Sequence, residues 1–181
     1  MDYQLADALN DLAGHSWLLD DLVVLVARDL IFVVFVVAAA LLVPLVRRRD
    51  WGALARFGAV LALAFTFGVV AAQLYAEPRP FTSHSDIRLL VPHAAGQSFP
   101  SDHATAAFAI ALAILVFVSA AWGRRLVAAA VLIGLARIYA GLHYPGDVAG
   151  SLAVALLAVA GVQLTTSALR RRTDGAPARS T

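Results

Sequence analysis

The chain has 181 residues, of which 61% are hydrophobic and 14% are charged. Soluble domains of this size rarely exceed about 45–50% apolar residues, so the composition excludes an ordinary soluble protein and indicates an integral membrane protein of one domain. The net charge of +2 excludes nucleic-acid binding, and the absence of Cys excludes disulfides and thiolate metal sites.

Residues 1–20 are predicted to form a segment at the membrane surface. Leu5, Leu9 and Leu12 recur at helical spacing over residues 3–18, with acidic residues between them. One apolar face and one charged face are typical of a helix that lies in the interface rather than across the bilayer. The sequence therefore predicts a short interfacial helix at the N-terminus.

The next part of the chain, residues 21–170, is predicted to form the transmembrane domain. A helix needs about 20 apolar residues to cross the hydrocarbon core. Five segments meet this requirement: 23–46, 52–75, 103–122, 126–142 and 147–169. The predicted fold class is all-α, an integral membrane helical bundle with about five transmembrane helices plus the N-terminal interfacial helix. Residues 171–181 are predicted to be a disordered cytoplasmic tail.

Arginine residues indicate how this bundle is oriented. With five spans, three clusters lie on the same side, which the positive-inside rule assigns to the cytoplasm: Arg47–Arg49 with Arg56, Arg124 with Arg125, and Arg170–Arg172. The loop 76–101 and the turn 142–146 then lie outside. All 14 basic residues are Arg, which together with abundant Ala and Val fits a GC-rich bacterial genome. The protein is predicted to be a multi-pass protein of the bacterial plasma membrane.

Polar residues gather at the outer ends of the spans, first in the stretch PRP at 78–80. The two prolines end the second span and hold Arg79 in an extended turn. A guanidinium placed in this way can bind phosphate through two parallel hydrogen bonds. The alternative is a boundary arginine that only contacts lipid headgroups.

The second polar stretch is FPSDHA, at the start of the third span. Pro100 stops the loop and Ser101 is a good N-cap residue, and Asp102 complements the helix dipole. A plain helix start explains these residues but leaves His103 unexplained. Because a helix N-terminus offers free N–H groups, a phosphate would fit here.

The third stretch, ARIYAGLHYPGDVAG at 136–150, joins the fourth and fifth spans. His143 follows Arg137 by six residues, and Asp147 follows His143 by four. Pro145 is expected in the first turn of the fifth span, so that Asp147 can reach back to one imidazole nitrogen and leave the other exposed. A single interfacial His is more often structural. A His with a carboxylate, a second His and two Arg at one membrane depth indicates a site.

Together these stretches resemble the type 2 phosphatidic acid phosphatase superfamily, which includes membrane lipid phosphatases and soluble vanadium haloperoxidases. The superfamily pattern is Lys, six residues, Arg-Pro; then Pro-Ser-Gly-His; then Ser-Arg, five residues, His, three residues, Asp. The match covers about residues 50–170. The matching residues, in the pattern's order and spacing, are Arg79-Pro80, Pro100-Ser101 with His103, and Arg137, His143 and Asp147.

The resemblance implies a role for each matching residue. His143 attacks phosphorus and forms a phosphohistidine, and Asp147 orients it. His103 protonates the leaving oxygen and then activates water. Arg79, Arg137 and Ser101 hold the phosphate oxygens, and the resemblance implies neither a metal nor a cofactor.

Three positions depart from the pattern. The Lys position is Ala72, so one cationic ligand is missing or replaced, with Arg88 as the first candidate and Gln73 as a weaker one. Ala136 replaces the Ser before the arginine. Asp102 replaces Gly, giving the Pro-Ser-Asp-His form that resembles bacterial undecaprenyl-diphosphate phosphatases, and we include Asp102 and Arg88 among the predicted substrate-binding residues.

The predicted function is therefore hydrolysis of undecaprenyl (polyprenyl) diphosphate to the monophosphate and inorganic phosphate, which recycles a cell-wall lipid carrier. The active site is predicted to face the extracytoplasmic side. Its predicted partners are a polyprenyl diphosphate or another phospholipid substrate, and the surrounding membrane lipid. One alternative is a phosphatidate or phosphatidylglycerophosphate phosphatase, and another is a non-catalytic lipid-binding or transport protein of the same fold. A haloperoxidase is disfavoured because those proteins are soluble. The sequence leaves the oligomeric state open.

Overall fold

A computed structural model describes the backbone of residues 2–174 and side chains up to residue 169. Seven helices lie within this range, and no strand does. They are α1 (Asp2–Asn10), α2 (Trp17–Arg47), α3 (Trp51–Leu74), α4 (Pro80–Ser83), α5 (Asp102–Phe117), α6 (Ala120–Tyr139) and α7 (Pro145–Asp174). The all-α prediction is confirmed. Most of the tail predicted at 171–181 lies outside the described residues.

The long helices have the length and composition of membrane spans. Within the described residues, three are long and apolar enough to cross a membrane: Trp17–Arg47, Trp51–Leu74 and Pro145–Leu169. Helix α5 is apolar but has 16 residues, and the 20 residues of α6 include Arg124, Arg125 and Arg137. The multi-pass helical bundle is confirmed, and a count of five spans stays a prediction.

Short polar residues determine where several of these helices begin. The side chains of Ser16, Asp50 and Ser119 accept hydrogen bonds from the first-turn N–H groups of α2, α3 and α6. Such caps satisfy backbone donors that have no partner within the helix. They explain two differences from the predicted bounds: α2 begins at Trp17, six residues earlier than predicted, and the span predicted at 103–122 is divided at Ser119 between α5 and α6.

Helix α5 lies at the centre of the bundle and packs against α2, α3, α6 and α7. Its Ala104, Ala107 and Ala111 are fully buried. Lipid tails are as apolar as these side chains, so the association of spans depends on close packing rather than on removal of apolar surface from water. At Gly123 an added Cβ would lie 2.2 Å from Leu115 Cα, so α6 meets α5 without room for a side chain.

The two ends of the bundle differ in chemistry. At one end the Arg56 guanidinium lies 5.7 Å from the centre of the Phe117 ring, which brings the start of α3 beside the end of α5. At the other end are the 75–101 loop and the turn between α6 and α7. A backbone hydrogen bond from Leu90 N–H to Ala140 O, at 3.2 Å, joins these two connections. A second, from Ser98 N–H to Glu77 O at 2.7 Å, links the two ends of the loop to each other.

Helix α1 packs on this second end, against α6 and α7. The Asp2 carboxylate accepts a hydrogen bond from Gly146 N–H at 2.9 Å, in the first turn of α7. The Asn10 side chain donates to the carbonyl oxygens of Arg88 and Tyr139. The helix predicted over residues 3–18 ends at Asn10, because the chain must then turn to enter α2. Helix α1 thus covers the two connections at this end of the bundle.

Candidate active site

His143 lies in the short turn between α6 and α7 and is 1% exposed. Gly141 begins the turn with φ +77°, a conformation that residues with a Cβ rarely adopt. An added Cβ there would lie 2.7 Å from the Arg88 carbonyl oxygen. Pro145 is the first residue of α7, as predicted. The turn therefore fixes the histidine between two helices, beneath the surface at this end of the bundle.

Two arginines from distant parts of the chain converge on one nitrogen of His143. The Nε2 atom lies 3.1 Å from Arg79 Nη1 and 3.2 Å from Arg137 Nη2. Arg79 comes from the extended Pro-Arg-Pro segment before α4, and Arg137 from the last turn of α6. Both are buried, at 8% and 3% exposure. The structure thus brings together three residues that the sequence separated by up to 64 positions.

This arrangement assigns the proton on the imidazole. A guanidinium group can only donate hydrogen bonds, so Nε2 of His143 must accept and carries the lone pair. The proton is then on Nδ1, which lies 2.9 Å from Ser98 O and 3.3 Å from Asp147 Oδ2. The Nε2 lone pair faces the two arginines, where a phosphate group would be held.

Burial keeps this imidazole neutral. The pKa of His143 is lowered to about 4. Loss of solvation is the largest cause, and the positive charges of Arg137 and Arg79 act in the same direction, while the bond to Asp147 opposes them. Burial also lowers the pKa of Arg79, against the opposing charges of Asp102 and Asp147. A neutral histidine between two guanidinium groups can act as a nucleophile at neutral pH.

Several buried donors around His143 have no partner among the side chains that the structure describes. They are Nε of Arg79, Nε of Arg137 and the hydroxyl of Ser101. Ser101 is the N-cap residue of α5, but its side chain makes no capping bond. Because unpaired buried donors are costly, this cluster fits a site whose ligand supplies oxygen acceptors. A phosphate group has that chemistry.

His103 and Asp102 open α5 beside this cluster. His103 is half-buried, and its electrostatic neighbours include Arg137 and His143. Asp102 is exposed, and its carboxylate interacts with the guanidinium groups of Arg79 and Arg137. The structure thus places both residues at the entrance of the site, with His103 deeper than Asp102.

Ser98 was not among the predicted site residues. It is fully buried, and its carbonyl and hydroxyl contact His143 and Asp147. Neither helical periodicity nor the superfamily pattern marks it, because these contacts form only when the loop folds against the turn between α6 and α7. Its position just before the FPSDHA stretch was the available signal.

Arg88 is the predicted site residue that the structure does not bring into the cluster. Its guanidinium donates to the Ala13 carbonyl oxygen, and its backbone N–H donates to Asn10 Oδ1 at 2.7 Å. The side chain therefore ties the long loop to the end of α1 instead of approaching Arg79. Gln73 is exposed on α3.

A groove between α3 and the start of α5 lies beside the site and shares Asp102 with its entrance. Its volume is about 230 Å³. Ala72, at the position of the pattern's Lys, lines it, and Gln97 from the loop lines it too. The other lining residues are mostly apolar: Phe65, Gly68, Val69, Phe99, Pro100, Asp102 and Thr105. An amphipathic ligand could enter here from the bilayer.

The donor set of this site suits an anion. Apart from His143, His103 and the carboxylates of Asp102 and Asp147, its polar side chains are arginine, serine, threonine and glutamine. Within the described part of the chain, no three His, Asp or Glu side chains are grouped as ligands of a metal ion.

Sequence comparisons find relatives that align over most of the chain. Undecaprenyl-diphosphatase BcrC of Bacillus subtilis is 36% identical, covering 87% of this chain and 80% of the relative. Putative undecaprenyl-diphosphatase YbjG of Escherichia coli is 32% identical, covering 92% and 82%. A bacitracin transport permease protein BcrC of Bacillus licheniformis is 30% identical, covering 82% and 72%.

Solved structures share the fold. Aquifex aeolicus LpxE superposes with a TM-score of 0.72 at 23% identity, covering 90% of this chain and 94% of that one. A PAP2-type phosphatidylglycerolphosphate phosphatase from Bacillus subtilis gives 0.65 at 19% identity, covering 91% and 85%. The family model of the PAP2 superfamily matches residues 53–171, which include every residue of the site described above. The chain belongs to the PAP2 superfamily.

Proposed function

We propose that the chain is a metal-independent lipid phosphatase that hydrolyses a polyprenyl diphosphate, of the undecaprenyl type, to the monophosphate and inorganic phosphate. The observation that carries this proposal is the convergence of Arg79 and Arg137 on the unprotonated Nε2 of His143. Membership of the superfamily and two relatives named as undecaprenyl-diphosphatases support a phosphatase of this kind.

The proposed reaction has two displacements at phosphorus. In the first, His143 Nε2 attacks the terminal phosphorus, and the bond to the bridging oxygen breaks as His103 protonates the leaving monophosphate. In the second, His103 takes a proton from water, and the resulting hydroxide attacks phosphorus. The N–P bond then breaks, releasing inorganic phosphate and restoring the neutral histidine. One water is consumed for each diphosphate cleaved.

Arg79, Arg137 and Ser101 would stabilise the charge that develops on the phosphoryl oxygens. Their unpaired donors are held in place before substrate arrives, which is the arrangement that makes electrostatic stabilisation effective. Asp147 would hold the imidazole through Nδ1. Arg88 has no place in this scheme, because its guanidinium is bonded to the Ala13 carbonyl.

The groove between α3 and α5 supports a lipid substrate. A chain that lies in the bilayer could rest on Phe65 and Val69 while its headgroup passes Gln97 and Asp102 to reach His143. With the arginine clusters in the cytoplasm, the site would face the extracytoplasmic side of a bacterial plasma membrane. Gln97 is then the candidate for the role of the missing Lys.

A substrate panel tests this proposal. Phosphate release is measured from undecaprenyl diphosphate, farnesyl diphosphate, phosphatidate and phosphatidylglycerophosphate, in detergent, with and without a chelator. We expect undecaprenyl diphosphate to give the highest kcat/KM, with no change on chelation. A preference for phosphatidate or phosphatidylglycerophosphate would replace the proposed substrate, and activity restored only by added Mg²⁺ would refute metal independence.

The same panel separates catalysis from transport, the function in the name of the Bacillus licheniformis relative. A transport or lipid-binding protein would bind undecaprenyl diphosphate without releasing phosphate. Binding without turnover would therefore refute the enzyme and support that alternative.

Replacing Arg88 tests whether this residue belongs to the phosphate site or only stabilises the loop around it. We expect Arg88→Ala to keep kcat within about threefold of wild type and to lower thermal stability by the loss of one hydrogen bond, about 1 kcal/mol. Steady-state kinetics and thermal unfolding in detergent provide the two readouts. A loss of about 100-fold in kcat without loss of stability would show instead that Arg88 contributes to the phosphate site.

A further inference from the structure

Asp147 and His143 do not form a simple pair in this structure. The Nδ1 atom of His143 is closer to the Ser98 carbonyl oxygen, at 2.9 Å, than to Asp147 Oδ2, at 3.3 Å. The Asp147 oxygen has two other donors, the Tyr144 N–H at 2.8 Å and the Ser98 hydroxyl. The carboxylate is therefore held mainly by groups other than the imidazole.

Ser98 contacts both members of this pair with different atoms. Its carbonyl accepts the Nδ1 proton of His143, and its hydroxyl donates to Asp147 Oδ2. Its own N–H donates to Glu77 O, two residues before Arg79, so the backbone of Ser98 is anchored to the segment that supplies an arginine. Ser98, His143 and Asp147 are each no more than 1% exposed, so water cannot replace these bonds.

We propose that Ser98 is a positioning residue for the nucleophile, which it orients through its carbonyl and through the Asp147 carboxylate held by its hydroxyl. The inference rests on the proposed function, in which His143 attacks phosphorus. Ser98 itself does not touch the reacting atoms. It keeps the proton on Nδ1 and thereby keeps the Nε2 lone pair directed at the position between Arg79 and Arg137.

The carbonyl and the hydroxyl of Ser98 have different roles in this arrangement. The main-chain carbonyl remains in any variant, so substitution removes only the hydroxyl. Without it, one lone pair of a buried carboxylate oxygen loses its donor, and the carboxylate can rotate away from Nδ1. A hydrogen bond to a charged group typically contributes enough to change a rate by about 10- to 100-fold.

The test compares Ser98→Ala with a matched control, Ser151→Ala. Ser151 is also fully buried, and its hydroxyl donates to the carbonyl oxygens of Asp147 and Ser101 at 2.8 and 3.1 Å. It lies one helical turn beyond Asp147 and contacts neither carboxylate nor imidazole. Phosphate release from undecaprenyl diphosphate is measured for both variants and for wild type, with unfolding temperatures of all three.

We expect Ser98→Ala to lower kcat by about 10- to 100-fold with KM within about threefold, and Ser151→Ala to keep kcat within about threefold. The second readout is a double-mutant cycle with Asp147→Asn. If the hydroxyl acts through the carboxylate, Ser98→Ala should add little to the loss already caused by Asp147→Asn. If the effect of Ser98→Ala is purely structural, it should instead lower kcat by the same factor in the wild-type protein and in Asp147→Asn.

Unchanged kcat in Ser98→Ala, an equal loss in Ser151→Ala, or independent effects in the cycle would each overturn the inference. Should Ser98→Ala not fold, Ser98→Cys keeps nearly the same volume with a weaker donor and is expected to show the same kcat loss in smaller degree. Absence of turnover in wild type would count against the proposed function instead, so the two failures are distinguishable.

Discussion

Replacing His143 with Ala is expected to lower the rate of phosphate release by about 10⁴-fold or more. The side chain is the one group whose lone pair faces both Arg79 and Arg137, so no neighbour within the described site can take over the attack. The measurement is single-turnover release of phosphate from undecaprenyl diphosphate, which separates the chemical step from lipid exchange.

Two controls accompany this variant. His15→Ala removes an exposed histidine in the connection between α1 and α2, and is expected to keep wild-type kinetics. Equilibrium binding of a non-hydrolysable diphosphate lipid to His143→Ala should stay within about tenfold of wild type, because the arginines remain. If His143→Ala retains more than about 1% of the wild-type rate, another group is the nucleophile.

The second large effect is expected at Arg137. Arg137→Ala should lower kcat by about 10²- to 10³-fold, the usual result of removing a preorganised donor from a developing negative charge. Arg137→Lys should recover only part of this loss, because an ammonium group lacks the planar fork that contacts phosphate through two parallel hydrogen bonds. Steady-state kinetics of the two variants measure the difference.

Arg125→Ala is the matched control for Arg137. Arg125 lies on the same helix near its opposite end, where its guanidinium is 4.8 Å from the Trp122 ring centre. We expect this variant to keep wild-type kcat. A rise in KM without a fall in kcat for Arg137→Ala would show that the guanidinium binds the ground state only, and would contradict its role in the transition state.

Much of this site was predictable because the residues have strong local constraints. Prolines on both sides of Arg79 impose an extended conformation, and the structure has it, with φ −64° and ψ 149°. Asp147 is four residues after His143, and with Pro145 starting the helix the carboxylate can reach Nδ1. Such short-range rules do not depend on how the helices pack.

The parts that could not be predicted depend on long-range contacts. The sequence does not indicate which group Arg88 contacts. Its hydrogen bond to the Ala13 carbonyl oxygen depends on where α1 packs. Ser98 contacts His143 through a backbone carbonyl that any residue type would supply, and its hydroxyl reaches Asp147 only because the loop folds against the turn. The division between α5 and α6 lies in an apolar run, where the only signal was the capping residue Ser119.

Trapping of a covalent intermediate tests the central claim most directly. Protein is mixed with undecaprenyl diphosphate carrying ³²P in the terminal phosphate, and the reaction is stopped in alkali during turnover, because phosphohistidine survives base and is cleaved by acid. We predict ³²P bound to the wild-type chain at His143, with none on His143→Ala. Turnover of wild type without any base-stable label, or an equal label on His143→Ala, would contradict the account.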